Sequence, residues 1–394
     1  MSPDAGVFCL CEANMKWATT ILVTAVAGLL ALGMVMLYSA GMAQTGERYL
    51  LMQLTWGGLG LVACIIATIV DYRVLKPMAL PLLILTVVLL ALVLVPGIGL
   101  ERNGARRWFN LGPMNFQPTE LAKITLLIAL AAYGARFYDK MRDIRYGLLI
   151  PGTVLGVALV LIFKEPDYGT TMLIAATVGV VLMIAGANWK YVVPPAVGGL
   201  ALFALFVYND PVRKQRIMAF LNPEDHKLGT GYQTWQAELA LGSGGVTGLG
   251  LGNGRQKLGF VPEHHTDFIF SIIGEELGAV ATLAVVLAFM VILVCGLYIA
   301  WKSGDRFGQL LGCGITFMIC LQAFINIGVV TSSLPNKGLP LPFISYGGSS
   351  LVFTLVSLGL ILSIANHAPE TVSADLPEQD DEFDEPDNPF VEVT

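Results

Sequence analysis

Long apolar runs, broken by short polar punctuation, dominate the chain. A helix needs about 20 apolar residues to cross a bilayer core roughly 30 Å thick. Such runs stand near residues 17–40, 50–70, 77–97, 118–134, 147–163, 170–186, 191–208, 268–300, 307–330 and 346–366, the fourth to seventh being short. In lipid every backbone polar group must be satisfied internally, which leaves helices or closed barrels. Continuous runs rather than strand-length alternations exclude the barrel. The pattern predicts an all-α, polytopic integral membrane protein of about ten transmembrane helices, with its longest loop, about 209–267, between the seventh and eighth. A short extension (1–16), a membrane body (17–366) and a polar tail (367–394) complete the expected organisation.

Composition agrees. Hydrophobic residues make up 55% of the 394 and charged residues only 13%, where a soluble domain carries about 25% charged. Of six cysteines, Cys64, Cys295, Cys313 and Cys320 lie inside apolar spans, where cysteine behaves as a small hydrophobe. Cys9 and Cys11 form a C-x-C with no second ligand pair, so no metal framework is expected.

Charge sets the orientation, because Lys and Arg collect in cytoplasmic loops. One set of loops carries Lys16, Arg73, Lys76, Arg136, Lys140, Arg142, Arg145, Lys190, Lys302 and Arg306. The opposite short loops carry Arg48, Arg102, Arg106, Arg107, Lys164 and Lys337. Ten against six places the first set, and both termini, in the cytoplasm. The stretch Thr19–Ala40 exceeds the roughly 7–15 apolar residues of a signal-peptide core, so a retained anchor is expected. Met15-Lys16 would make a natural start, which leaves residues 1–14 as a dispensable extension. Past Pro369 lie ten of the 29 acidic residues and no basic one. Such a tail reads as a solvating segment. No nucleic-acid partner is expected.

The outer loops are more basic than topology alone requires. Arg102, Arg106 and Arg107 share the loop NGARRWFNLGP with Trp108 and Phe109. Two readings stand: snorkelling to lipid phosphates, or recognition of an anionic ligand by bidentate guanidinium contacts. Gln117-Pro118-Thr119-Glu120-Leu121-Ala122-Lys123 opens the fourth span, with Pro118 suited to a first helical position. Glu120 and Lys123 are spaced to pair on one face, yet ionisable residues within a span usually face a cavity or a partner. Lys164-Glu165-Pro166-Asp167 is a second charged turn on this side. Pro211–Lys227 can lie along the headgroups as an amphipathic stretch. The glycines of 242–254, before Arg255 and Lys257, make either an anion-binding nest or a flexible loop. His264 and His265 lack zinc-site spacing. Asp267, the last charge before an apolar span, is either a helix cap or a catalyst. Glu275 and Glu276, about 12 Å deeper at 1.5 Å per residue, must be paired or protonated and read as structural.

Together the motifs NGARRWFNLGPMNFQPTELAK, EPDYGTTM, GYQTWQAELALGSGGVTGLGLGNGRQKLGFVPEHHTDFIFSIIGEELG and PNKGLPLPFISYGGSS resemble the FtsW/RodA (SEDS) family of bacterial cell-wall proteins. The resemblance runs from the first span to about Asn366. Pro335-Asn336-Lys337-Gly338 and the extended tail look more like its division-type branch than its elongation-type branch; Ala237, where the family usually has Ser, is a departure.

The resemblance implies a peptidoglycan glycosyltransferase that polymerises lipid II at the bacterial cytoplasmic membrane, at the division septum. It implies a class B penicillin-binding protein (a transpeptidase) and other division proteins as partners, besides membrane lipids. The family's essential acid falls on Asp267, and its functional Glu and Lys on Glu120 and Lys123. The candidates for substrate contact are then Arg102, Arg106, Arg107, Glu120, Lys123, Lys164, Arg255, Lys257, His265, Lys337 and Ser345. Arg102, Arg106, Arg107, Lys123 or a divalent cation (Mg2+ or Mn2+) would stabilise a pyrophosphate leaving group. No organic cofactor is expected. The rival readings are a lipid II flippase and a non-catalytic scaffold for the division transpeptidase.

Overall fold

A computed structural model describes residues 3–42, 48–102, 104–110, 112, 115–221, 229, 231–258, 266–335 and 338–368. Eight helical segments among them are long and apolar enough to cross a membrane. They lie in α1 (Pro3–Met42), α2 (Arg48–Ile69), α3 (Leu75–Val93), α5 (Ile150–Lys164), α7 (Trp189–Asn209), α10 (Ile269–Trp301), α11 (Arg306–Val330) and α12 (Ser349–Asn366). Two more helices, α4 (Pro118–Arg136) and α6 (Tyr168–Ile184), are shorter or more charged and bring the bundle to the ten expected. The long loop holds α8 (Pro211–Leu221) and α9 (Tyr232–Gly244).

The layering follows from which faces are apolar all round. Helices α4, α11 and α12 form the centre: α11 packs on α4, α6 and α10, and α12 packs on α2. Their interior is Leu126, Leu130, Leu311, Ile315, Leu355 and Ile361, all nearly inaccessible. Helix α7 stands at the rim with most of its side chains outward. That outward face is apolar, as lipid contact requires.

Two features go beyond the hydropathy pattern. The basic loop after α3 folds as a three-stranded antiparallel sheet, β1 (Gly99–Arg102), β2 (Ala105–Asn110) and β3 (Asn115–Phe116). Its register pairs Glu101 with Arg106 and Phe109 with Phe116. The second is a break in α10 at Gly278, whose φ of 78° and ψ of −174° lie outside the helical region. A break strands backbone groups that lipid cannot satisfy. The glycine-rich loop takes them up: Leu249 and Gly250 donate to the carbonyls of Glu275 and Glu276, while Ala279 and Val280 donate to those of Gly245 and Val246. A Cβ at Gly278 would collide with Val246 and Gly248, so only glycine lets the loop lie this close.

Candidate active site

Four elements meet around the start of α10. Its N-cap position falls to Phe268, which has no side-chain cap, so Asp267 stands one residue outside the helix. Asp267 is partly exposed, at the end of the long loop. Beside it runs the segment 338–345, close enough that a Cβ on Gly338 would lie 2.7 Å from Asp267 Oδ2. Ser345 fastens this segment, its hydroxyl donating to the Thr266 carbonyl (2.5 Å) and accepting from the Leu341 amide (2.8 Å). Asn326 of α11 completes the attachment, its Nδ2 donating to the carbonyls of Asp267 (2.8 Å) and Leu339 (2.7 Å).

One turn along α11, Gln322 reaches the other charged group. Its Oε1 accepts from Lys123 Nζ at 3.0 Å, and its Nε2 donates to the Pro340 carbonyl at 2.8 Å. Lys123 also pairs with Glu120 Oε2 at 2.7 Å, and both side chains are buried. A small open pocket is lined by this pair, Gln322, Pro342, Phe353 and Ser357. A buried pair with an amide partner on an open cavity matches the rule that intramembrane charges face a cavity or one another.

The sheet stands over this region through aromatic contacts. Phe109 stacks on Phe116 with centroids 6.4 Å apart, and Phe116 tilts against Phe353 of α12 at 6.0 Å. Arg107 secures its other side, Nε and Nη2 donating to the carbonyls of Glu165 (2.9 Å) and Pro166 (2.6 Å). Arg106 is half-exposed and pairs with Glu101 at 2.9 Å. Lys164, at the end of α5, is exposed. Arg102 lies on β1; its side chain, with Lys337 and His265, falls outside the described residues.

Two of the residues expected to contact substrate, Lys257 and Ser345, spend their polar groups within the fold. Lys257 is buried, its ammonium bound to Glu276 Oε1 (2.6 Å), Ser39 Oγ (2.8 Å) and the Gly252 carbonyl (2.9 Å). All three of its donors are thus spent within the fold. Arg255 contributes its backbone amide, which donates to Glu275 Oε1 at 2.7 Å, while its side chain stays exposed. The glycine loop is a nest after all, but the carboxylates it holds are the protein's own Glu275 and Glu276. The hydroxyl of Ser345 is committed to the backbone near Asp267 rather than turned to a ligand. Sequence reasoning did not single out Gln322 or Asn326, because polar residues within a hydrophobic span carry no motif.

A further acid belongs to this face. Glu165 is fully buried between α5 and α6, and its Oε2 accepts from Thr119 at 2.9 Å. Burial, reinforced by the Asp167 charge, pushes its carboxyl up to about 8, against the Thr119 hydrogen bond and the Arg107 charge. Asp167 caps α6, accepting from the amide and hydroxyl of Thr170. Among the described residues no three His, Cys, Asp or Glu side chains converge as metal ligands. The divalent cation expected at the leaving group thus has no protein cage among them, and no step is routed through one.

Comparison with known proteins identifies the arrangement. Residues 19–370 match the model of the FtsW, RodA and SpoVE cell cycle proteins. A Geobacter metallireducens protein described as a probable peptidoglycan glycosyltransferase FtsW is 38% identical, covering 90% of this chain and 96% of that one. Stage V sporulation protein E of Bacillus subtilis is 36% identical, covering 86% and 94%. Among solved structures, a chain of a peptidoglycan synthase complex coordinating polymerization and crosslinking superposes with a TM-score of 0.74 at 32% identity, over 88% of this chain and 96% of that one. The rod shape determining protein RodA of Thermus thermophilus gives 0.66 at 31%, over 88% and 96%. A family match spanning nearly the whole membrane body, on a shared ten-helix fold, means that the chain belongs to the FtsW/RodA/SpoVE family.

Proposed function

We propose that the chain is a peptidoglycan glycosyltransferase that polymerises lipid II on the outer face of the bacterial cytoplasmic membrane. One observation carries the reading. Asp267 sits outside its helix at the end of the apolar span, held by Asn326 through its own carbonyl and flanked by Gly338. A carboxylate in that position can take the proton of the attacking GlcNAc 4-hydroxyl. The hydroxyl oxygen then bonds to the anomeric carbon of the lipid-linked MurNAc, and the bond to undecaprenyl pyrophosphate breaks. The departing negative charge needs preorganised cations; Arg106, Arg107 and Lys164 lie on this face. A single displacement inverts the anomeric centre.

The deciding experiment is in-vitro polymerisation of purified lipid II by native protein and Asp267→Asn, each with and without a class B penicillin-binding protein. Asparagine keeps the shape but takes no proton at neutral pH. The expected result is a folded, inserted variant whose rate falls by about 10²–10⁴-fold, the range typical of a lost general base. Native-level glycan from Asp267→Asn would remove the assignment.

The transpeptidase as partner, and a place at the division septum, are supported by the synthase complex among the structural relatives and the FtsW name of the sequence relatives. Transport remains the competing chemistry, since flippases use broken helices. The break in α10, however, is filled by the backbone of the glycine loop, whereas a transport break lines a substrate path.

A further inference from the structure

We propose that Gln322 and Asn326 are positioning residues that hold Asp267 in register with the Glu120–Lys123 pair. The inference rests on the reading of Asp267 as the base. The two amides are four residues apart on α11, about 6 Å along the axis at 1.5 Å per residue, and so share one face. Between them they make four hydrogen bonds, each to a group of the candidate site: Lys123 Nζ and the Pro340 carbonyl for Gln322, the Leu339 and Asp267 carbonyls for Asn326. The consecutive residues Leu339 and Pro340 are thereby fixed to a rigid helix just past Gly338, on which a Cβ would lie 2.7 Å from Asp267 Oδ2. One hydrogen-bonded path from the buried cation to the base runs through this face.

Asn326 is almost inaccessible, and its Oδ1 has no hydrogen-bond partner among the described residues. A buried acceptor without a partner is penalised, but an apolar side chain here would strand the Asp267 and Leu339 carbonyls instead. The orientation of the amide is itself fixed, because turning it over would set Oδ1 against two carbonyl oxygens. Position 326 therefore holds a donor that both carbonyls require and that leucine cannot supply. What the donor secures is the backbone of the putting-in-place pair, Asp267 and Leu339. Positioning of this kind matters to rate because a misplacement of about 1 Å costs on the order of 10²-fold.

The test uses the full chain, purified with lipid II as the probe, and compares native protein with Gln322→Met, Asn326→Leu and Asp267→Asn. Asn326→Leu keeps the branching of the side chain and Gln322→Met its length. The expected outcome is a kcat lowered about 10- to 100-fold in each, with KM for lipid II within about twofold of native. Thermal unfolding of Asn326→Leu is expected a few degrees below the native midpoint, since the Asp267 and Leu339 carbonyls lose their donor, with the protein still folded at the assay temperature. Native kcat in both variants overturns the proposal, as does a kcat loss matched by a fall in folded protein. An active Asp267→Asn would instead defeat the assignment of the base, a failure separable from that of its supports.

Discussion

At the scale of single residues, burial decides between roles that chemistry leaves open. Lys257 and Lys123 are both buried lysines paired with a glutamate, but only Lys123 lines an open cavity. Removing one member of a buried pair strands the other's charge and typically costs about 3–5 kcal/mol. Lys257→Met is accordingly expected to lower the unfolding midpoint sharply, and Lys257→Met combined with Glu276→Leu to recover much of the loss, as measured by thermal unfolding in detergent. Glu165 makes a pH prediction. Its folded-state carboxyl titrates at about 8 against an ordinary 4.5, so the folded protein holds this proton more tightly than the unfolded chain. Its favourable contribution is complete below pH 4.5 and is lost as pH rises through about 8. Glu165→Gln cannot ionise, so the slope of the unfolding midpoint across this window is expected to flatten; an unchanged slope would assign the titration elsewhere. Neither role could be read from sequence, because Lys257 meets Ser39 across 218 positions and Glu165 meets Thr119 across 46.

At the scale of elements, the spans were legible and their interruptions were not. Hydropathy reports how apolar a stretch is, so the runs at 268–300 and 307–330 appear as helices almost to the residue. It is blind to backbone angle, and Gly278 passes as one more small residue. The three-stranded sheet escaped for a related reason, since strands of two to six residues offer too few alternations to register. Gly278→Ala tests the break. Alanine at a φ of 78° is strained and would strike the Val246–Gly248 backbone. The loop around 245–258 is expected to detach and become a site of limited proteolysis, which is read on gels; persistence of native protection would mean the helix accommodates a side chain there. Of the site, Asp267, Glu120 and Lys123 were legible because they carry family motifs. Gln322 and Asn326 were not, since a lone amide in an apolar helix has many structural explanations and only its partners distinguish them.

At the scale of the whole molecule, ten crossings return the chain to the side on which it began, so the termini share a compartment. Single cysteines introduced at Glu101 or Lys164 are expected to react with an impermeant thiol reagent in intact cells, and those at Lys140 or Arg142 only after lysis. The reverse pattern would invert the bundle and remove Asp267 from the outer face. The outward side is also where the molecule's two kinds of ion pair part company. Arg106 and Glu101 meet in water on the sheet, while Lys257 and Glu276 meet in the interior. Mobile ions screen exposed charges over about 8 Å at physiological ionic strength and reach buried pairs far less. If the sheet draws the proposed anionic lipid, added salt is expected to slow the substrate's arrival while the buried Lys257–Glu276 pair, and with it the fold, stays unchanged.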